Sequence, residues 1–216
     1  DWLKIGFSTN TNYNRSEGNQ HGLYDILQLT PILNAKDAQG NWLERAEMPL
    51  DQVYLHTKRN IELNADKWVN ESASLGTYNT GYVQLDAPWV QGLSFKQTAS
   101  LNYRNNKSGN FTGSGVNNFS KTSDNTAGQG YNQTLNWTLE SLLTYDHTFA
   151  DKHHVNVTGM YSVEQTTYQS NGISAKNIPN EQFLYYNIGT ANAEDITVSP
   201  NSFNYWQAGL QSWMGR

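Results

Sequence analysis

The chain has 216 residues, a net charge of −5, no cysteine and a mean hydropathy of −0.71. No apolar run approaches the roughly 18 residues of a membrane helix, so helical spanning is excluded. The absence of cysteine removes disulfides and thiol chemistry, and the mild acidity argues against a nucleic-acid surface.

The elements that follow are strands. Residues 3–13 alternate Leu3, Ile5, Phe7 and Tyr13 with Lys4, Ser8, Asn10 and Asn12. Side chains alternate across a strand, so such a segment has one apolar face and one polar face. A long connection over 14–74 comes next, too long to be structureless, and it reads as a folded cap. Within it, residues 22–31 predict a short helix ended by Pro31, and residues 37–41 (Asp-Ala-Gln-Gly-Asn) predict a turn. Residues 75–87 form a weaker strand, with Gly81, Val83 and Leu85 opposed to Tyr82, Gln84 and Asp86. A short turn at 88–92 leads to 93–104, where Leu93, Phe95, Ala99, Leu101 and Tyr103 alternate with Ser94, Lys96, Thr98, Ser100, Asn102 and Arg104.

Residues 105–134 are rich in Asn, Gly, Ser and Thr and read as a polar loop, which contains the connection over 106–133. The most informative segment follows, at 135–163. Leu135, Trp137, Leu139, Leu143, Tyr145 and Phe149 share one parity, and Asn136, Thr138, Glu140, Thr144, Asp146 and Thr148 the other, with Leu142 the exception. After a turn at 150–152 the scheme repeats, with Val155, Val157, Tyr161 and Val163 against Asn156, Thr158, Ser162 and Glu164. Paired residues share a face, so odd numbers must stand opposite odd numbers; Phe149 faces either His153 or Val155. A long connection over 169–202 carries the apolar cluster 183–187, expected to pack on neighbouring loops. The last strand, 203–216, is mixed in parity, and a bulge is expected near Tyr205–Trp206.

Six strands of about fifteen residues, edged with aromatics and joined by alternating short and long connections, suggest the wall of a transmembrane β-barrel. The short turns then mark the periplasmic rim. The chain opens on Asp1-Trp2-Leu3 and ends on Gly215-Arg216, each within strand pattern. Six strands cannot close a ring that satisfies its own edges, so residues 1–216 are expected to be one partial barrel domain of a longer protein.

The segment Leu143–Gly159, reading LTYDHTFADKHHVNVTG, resembles a barrel hairpin of the SusC/RagA family of TonB-dependent outer-membrane transporters. The pieces 1–6 (DWLKIG), 92–96 (GLSFK) and 210–216 (LQSWMGR) are similar to strand starts and ends of the same family, in an order that fits the middle of its barrel. The resemblance implies a 22-stranded barrel in the bacterial outer membrane, an N-terminal plug outside residues 1–216, and a SusD-like surface lipoprotein acting as a lid. It also implies import of glycans or peptides with energy from TonB. It transfers no substrate-binding residue.

The residues suggest no enzyme, metal or cofactor. His153 and His154 are adjacent and point to opposite faces of a strand, so they cannot readily share a metal; His147 has the parity of His153 and reads as interfacial. Glu140 and Glu164 share the polar face, and a solvated channel wall explains them better than an acid pair. No nucleophile elbow is present, and Gly113-Ser114-Gly115 is too sparse for a phosphate cradle. Sequons such as Asn136-Trp137-Thr138 are chance products of an Asn- and Thr-rich chain. Trp42, Tyr54, Trp68, Tyr131, Tyr168, Tyr185 and Tyr186 are candidates for stacking on sugars or peptide side chains, against the plainer role of anchoring loops or forming an aromatic girdle. Lys96, Arg104, Glu140 and Asp146 would shape the field in the lumen. The rival readings are a passive porin segment and a secreted carbohydrate-binding β-sandwich, which requires a second sheet on the apolar face.

Overall fold

The computed structural model describes residues 2–18, 34–47, 65–114, 116 and 124–216. The chain forms, in order, β1 (Leu3–Gly18), β2 (Asn34–Lys36), β3 (Trp42–Glu47), β4 (Trp68–Asp86), β5 (Leu93–Thr112), β6 (Thr126–Phe149), β7 (His153–Lys176), β8 (Ile196–Thr197) and β9 (Asn204–Gly215). One antiparallel sheet runs β1-β4-β5-β6-β7, with β9 and the two-residue β8 both on the free edge of β7. β2 and β3 form a separate small hairpin around the expected turn, where Asp37 Oδ1 accepts from the Gln39 and Asn41 amides at 2.9 and 2.8 Å. The expected helix at 22–31 lies outside the described residues.

Every pairing among the six long strands β1, β4, β5, β6, β7 and β9 preserves parity; the two-residue β8, with Ser174 opposite Thr197, does not. Leu3 stands opposite Leu85, Leu85 opposite Phe95, Phe95 opposite Leu143, Leu143 opposite Gly159 and Gly159 opposite Gly215. Phe149 faces His153, one of the two registers that parity allows. In these six strands all odd residues therefore share one face and all even residues the other. The odd face carries the apolar band, and Ile5, Phe7, Leu139, Leu143 and Val157 on it are exposed. The sheet is open, and the accessible surface of 14482 Å² exceeds the roughly 10,000 Å² expected of a compact monomer of this mass. An apolar sheet face this bare needs a covering, and no second sheet packs on it among the described residues.

Several polar residues that intrude on the odd face are paired with one another across strands. Ser141 Oγ donates to Gln97 Oε1 at 2.7 Å, and the Gln97 amide donates to the Glu140 carbonyl at 2.9 Å. Thr9 donates to Asn79 at 2.6 Å, and the Thr11 and Thr77 hydroxyls lie 3.0 Å apart. Polar groups in a water-poor setting must be satisfied internally, and these are.

Three expectations are corrected. The strands are longer than the apolar alternation: β6 and β7 have 24 residues each, and β1, β4 and β5 also extend past it. Most of 105–134 is consequently strand, not polar loop. The backbone ladder continues there without an apolar face, helped by side-chain bonds such as Asn106 Nδ2 to Asn132 Oδ1 at 2.7 Å. The bulge at Tyr205–Trp206 does not form. β9 pairs with β7 without interruption from Asn204 to Gly215. It accepts mixed parity because aromatic pairs hold both faces: Tyr161 with Trp213 on the odd face (4.3 Å) and Tyr168 with Trp206 on the even face (5.6 Å). Leu142, the exception in β6, shares an even-face rung with Met160 and Met214, a small apolar patch on a polar wall.

The two short turns are tightly specified. Ala150 and Asp151 both have left-handed φ (50° and 55°), as a type I′ hairpin turn demands. Gly92 has φ 87°, and a Cβ there would collide with the Asp146 carbonyl, which lies one hydrogen bond away through Asp146 N to Gly92 O at 2.9 Å.

Candidate functional site

The even face is the candidate site, a polar wall crossed by six strands. Its lower part is a mixed-charge field. Lys4 Nζ meets Asp86 Oδ2 at 2.9 Å, and Gln84 donates to the other Asp86 oxygen at 2.8 Å. Lys96 Nζ sits 4.6 Å from the centre of the Tyr82 ring, a cation–π contact. That ring occupies the space a side chain at Gly6 would need. Higher up, Asn136 Nδ2 donates to Glu164 Oε1 at 3.0 Å and to Thr166 Oγ1 at 2.8 Å. Near the short turn, Asp146 accepts from Asn156 at 2.6 Å and is 2.9 Å from His154 Nε2.

The expected lumen residues Lys96, Arg104, Glu140 and Asp146 thus all lie on this one face. Glu140 stands opposite Ser162 and Glu164 opposite Thr138, so the two carboxylates are diagonal neighbours, and Glu164 is committed to Asn136. His153 and His154 point to opposite faces, His153 beside Phe149 and His154 bonded to Asp146. His147 is held in an aromatic row on the odd face, 6.0 Å from Tyr145 and 4.5 Å from Phe149. His147 was expected at the short-turn rim, and the row lies there.

The candidate stacking aromatics divide. Tyr168 is not in a loop: it lies on β7, on the even face, stacked on Trp206 at an interplanar angle of 23°. Arg104 occupies the same rung of the sheet, two strands away. Tyr131 lies on the odd face, its hydroxyl bonded to Asn105 at 3.2 Å and Gln133 at 2.8 Å. Trp42 and Trp68 open β3 and β4, and Tyr54 lies outside the described residues. The sequence reading places Tyr82 on this face without singling it out, and misses Tyr78 and Trp206 as even-face aromatics. Even numbering alone identifies Tyr78; Trp206 was hidden by the supposed bulge.

Tyr185 and Tyr186 belong to a cap, residues 177–203, that folds onto the upper end of the odd face. Phe111, Ala127 and Ala175 from β5, β6 and β7 are buried there under Ile178, Tyr185, Ile188 and Ala191. Tyr185 lies directly over Gly109, where any side chain would strike it. Its hydroxyl donates to Glu71 Oε2 at 2.5 Å, and Tyr186 donates to the same oxygen at 3.0 Å. Burial pushes the Tyr185 phenol up, and the bond to the Glu71 carboxylate pushes it the same way. Glu181 ties the cap to two neighbouring connections. It accepts from the Ser114 amide at 2.7 Å and Asn125 Nδ2 at 3.1 Å, with Lys67 Nζ at 3.6 Å. Burial opposes its ionisation, but the bonds from Ser114 and Asn125 and the Lys67 charge together hold its pKa below the usual carboxylate value. The Ser114 amide that a phosphate cradle would use is therefore already taken. Of the 183–187 cluster, Leu184 and Tyr185 pack as expected, on strand ends as well as on the cap, while Phe183 and Tyr186 are exposed.

An antiparallel sheet with an apolar face, a polar face and, among the described residues, no second sheet packed on the apolar one is a segment of β-barrel wall. No family model and no curated protein sequence matches the chain. Solved structures do. The chain is similar over 100% of its length to a chain of the RagAB peptide transporter, at 14% identity and a TM-score of 0.66. It is likewise similar to chains of the RagAB peptide importer in the closed-closed state (15% identity, TM-score 0.58) and the open-open state (15% identity, TM-score 0.55). It spans 23–24% of the length of those chains. At such identity the likeness is one of fold: this chain has the fold of part of a RagA/SusC-like transporter.

Proposed function

We propose that this chain is part of the barrel wall of a TonB-dependent outer-membrane importer of the SusC/RagA type. The observation that carries the reading is the unbroken parity of the sheet, which gives lipid one face and solute the other. The fold likeness to a peptide importer over the whole chain supports it. In this role the even face lines the passage. Tyr168, Trp206, Tyr78 and Tyr82 offer aromatic surfaces, while Arg104, Lys96, Glu140 and Glu164 offer both signs of charge to a passing peptide or glycan. The peptide class is preferred, because a wall with both charges matches termini and mixed side chains. The wall itself performs no chemistry. A plug, TonB and a SusD-like lipoprotein lid belong to the same proposal and rest on the family resemblance.

The test is carried out on the full parent protein in its native membrane. Uptake of a labelled oligopeptide should require detergent-extractable, folded parent protein and should stop when the proton gradient is collapsed. Uptake that persists without the gradient would favour the passive porin. Recovery of the parent in the soluble fraction would overturn both readings.

A further inference from the structure

We infer that the odd face carries a binding site for a phosphorylated glycolipid, its sugar-phosphate headgroup in a recess beneath the cap and an acyl chain in a furrow below. The inference rests on the reading of the odd face as the lipid-facing wall and adds to it a ligand class.

The recess, of about 550 Å³, opens on the odd face between the cap and the top of the apolar band. Its volume lies in the range of small-ligand sites, roughly 300–1,000 Å³. Tyr13, Tyr131, Tyr185 and Tyr186 supply aromatic surface of the kind that stacks on sugar rings. Arg15 and Lys107 supply charge. The two cations lie on one rung, with Ala73 between them and Tyr131 beside Lys107. That rung is the next above Tyr13 and Leu75, where the apolar band ends. With strands rising about 3.4 Å per residue and tilted by about 40°, the cations stand roughly 5 Å above that edge, at the depth of lipid headgroups. Lys107 is exposed and has no ion pair among the described residues. The acids Glu17 and Glu71 lie one rung further out: Glu17 pairs with Arg15, and Glu71 accepts from the two tyrosines and lies 3.9 Å from Arg15, so that Lys107 is the cation left for a ligand. The unpaired charge of Lys107 therefore lies on the membrane side of the recess and the hydroxyl-rich part faces away, the polarity of a lipid with its phosphate at the acyl boundary and its sugars outward.

A second recess is aligned with the first. Lower on the same face and over β1, β4, β5 and β6, Gly81 and Ala99 stand opposite each other and leave a furrow of about 660 Å³. Phe7, Leu101, Trp137 and Leu139 flank it. A polar recess with cations at its lower edge and an apolar furrow below it, along the same strands, together have the shape of one amphiphile.

The experiment counts glycolipid that stays with the full parent protein after detergent extraction from its native membrane, by native mass spectrometry. Lys107→Glu removes the free cation. Gly81→Leu fills the furrow, and a Cβ at that position meets only ordinary contacts at 3.6 and 3.8 Å. Each is expected to lower the retained glycolipid by about tenfold, while the barrel keeps its folded, heat-modifiable migration. Lys152→Glu, the same charge change in a short turn, should leave retention unchanged. Wild-type retention in either site variant overturns the inference, as does displacement of the glycolipid by an equimolar phosphorylated disaccharide lacking acyl chains. A parent protein found without detergent in the soluble fraction fails at an earlier step, and refutes the lipid-facing wall itself.

Discussion

The phenolic hydroxyl of Tyr185 donates to Glu71 at 2.5 Å, joining residues 114 positions apart in the chain. The bond fixes the cap to the sheet at the point where Gly109 makes room for the ring. Tyr185→Phe keeps the packing and removes the bond. A hydrogen bond to a charged group contributes about 1.5–3 kcal/mol, and the partial exposure of Glu71 places this one at the lower end. Proteolysis within 177–203 should accelerate by about tenfold, with strand protection unchanged.

The Glu181 node makes the cap sensitive to acid. Its folded pKa lies below the ordinary value of 4.5, so its stabilising effect is complete above that value and is lost as the pH falls through the lower folded one. Hydrogen exchange measured from pH 7 to pH 3 should show amides in 177–190 losing protection below about pH 4.5, before the ladder of β6 and β7 does. Glu181→Gln should remove most of this pH dependence.

The two short turns should respond to glycine in opposite ways. Ala150→Gly relieves a left-handed backbone that costs a non-glycine residue about 1–2 kcal/mol, and should stabilise the barrel by roughly 1 kcal/mol. Gly92→Ala adds both the backbone cost and a clash with the Asp146 carbonyl, and should destabilise by more than 2 kcal/mol (about). Urea unfolding of the parent barrel in detergent or lipid distinguishes the two.

Adjacent residues on β6 should differ sharply in their tolerance of charge. Leu139→Arg places a cation in the middle of the apolar band and should cost about 2–4 kcal/mol on insertion into bilayers. Thr138→Arg, one position away, points into the polar wall and should insert almost as well as the unchanged chain. Folding yields into lipid vesicles compare them directly.

Much of this was legible in the sequence because the side-chain period of a strand is two. Leu135 to Phe149 and Val155 to Val163 identify the central hairpin, and odd-with-odd pairing restricts the register to the two choices that include the observed Phe149–His153. Lys96, Arg104, Glu140 and Asp146 were placed on one face for the same reason. What alternation does not reveal is a strand that is polar on both faces. Residues such as Asn105 and Asn132 carry no apolar signal, yet their backbones pair as regularly as the rest. The position of Tyr168 was missed for that reason, and Trp206 because mixed parity has two explanations, a bulge or two occupied faces. The Tyr185–Glu71 bond spans too much sequence to be read from local pattern.

The unbroken parity of the sheet also limits how such a chain can vary. Deleting one residue inside a strand would turn everything beyond it inside out, exchanging oily and wet surfaces from that point to the next turn. Deleting two would only shorten the wall. Length changes between related chains should therefore come in even steps within the ladder and in steps of any size in the connections, so that the barrel tolerates drift in its loops while counting its strands by twos.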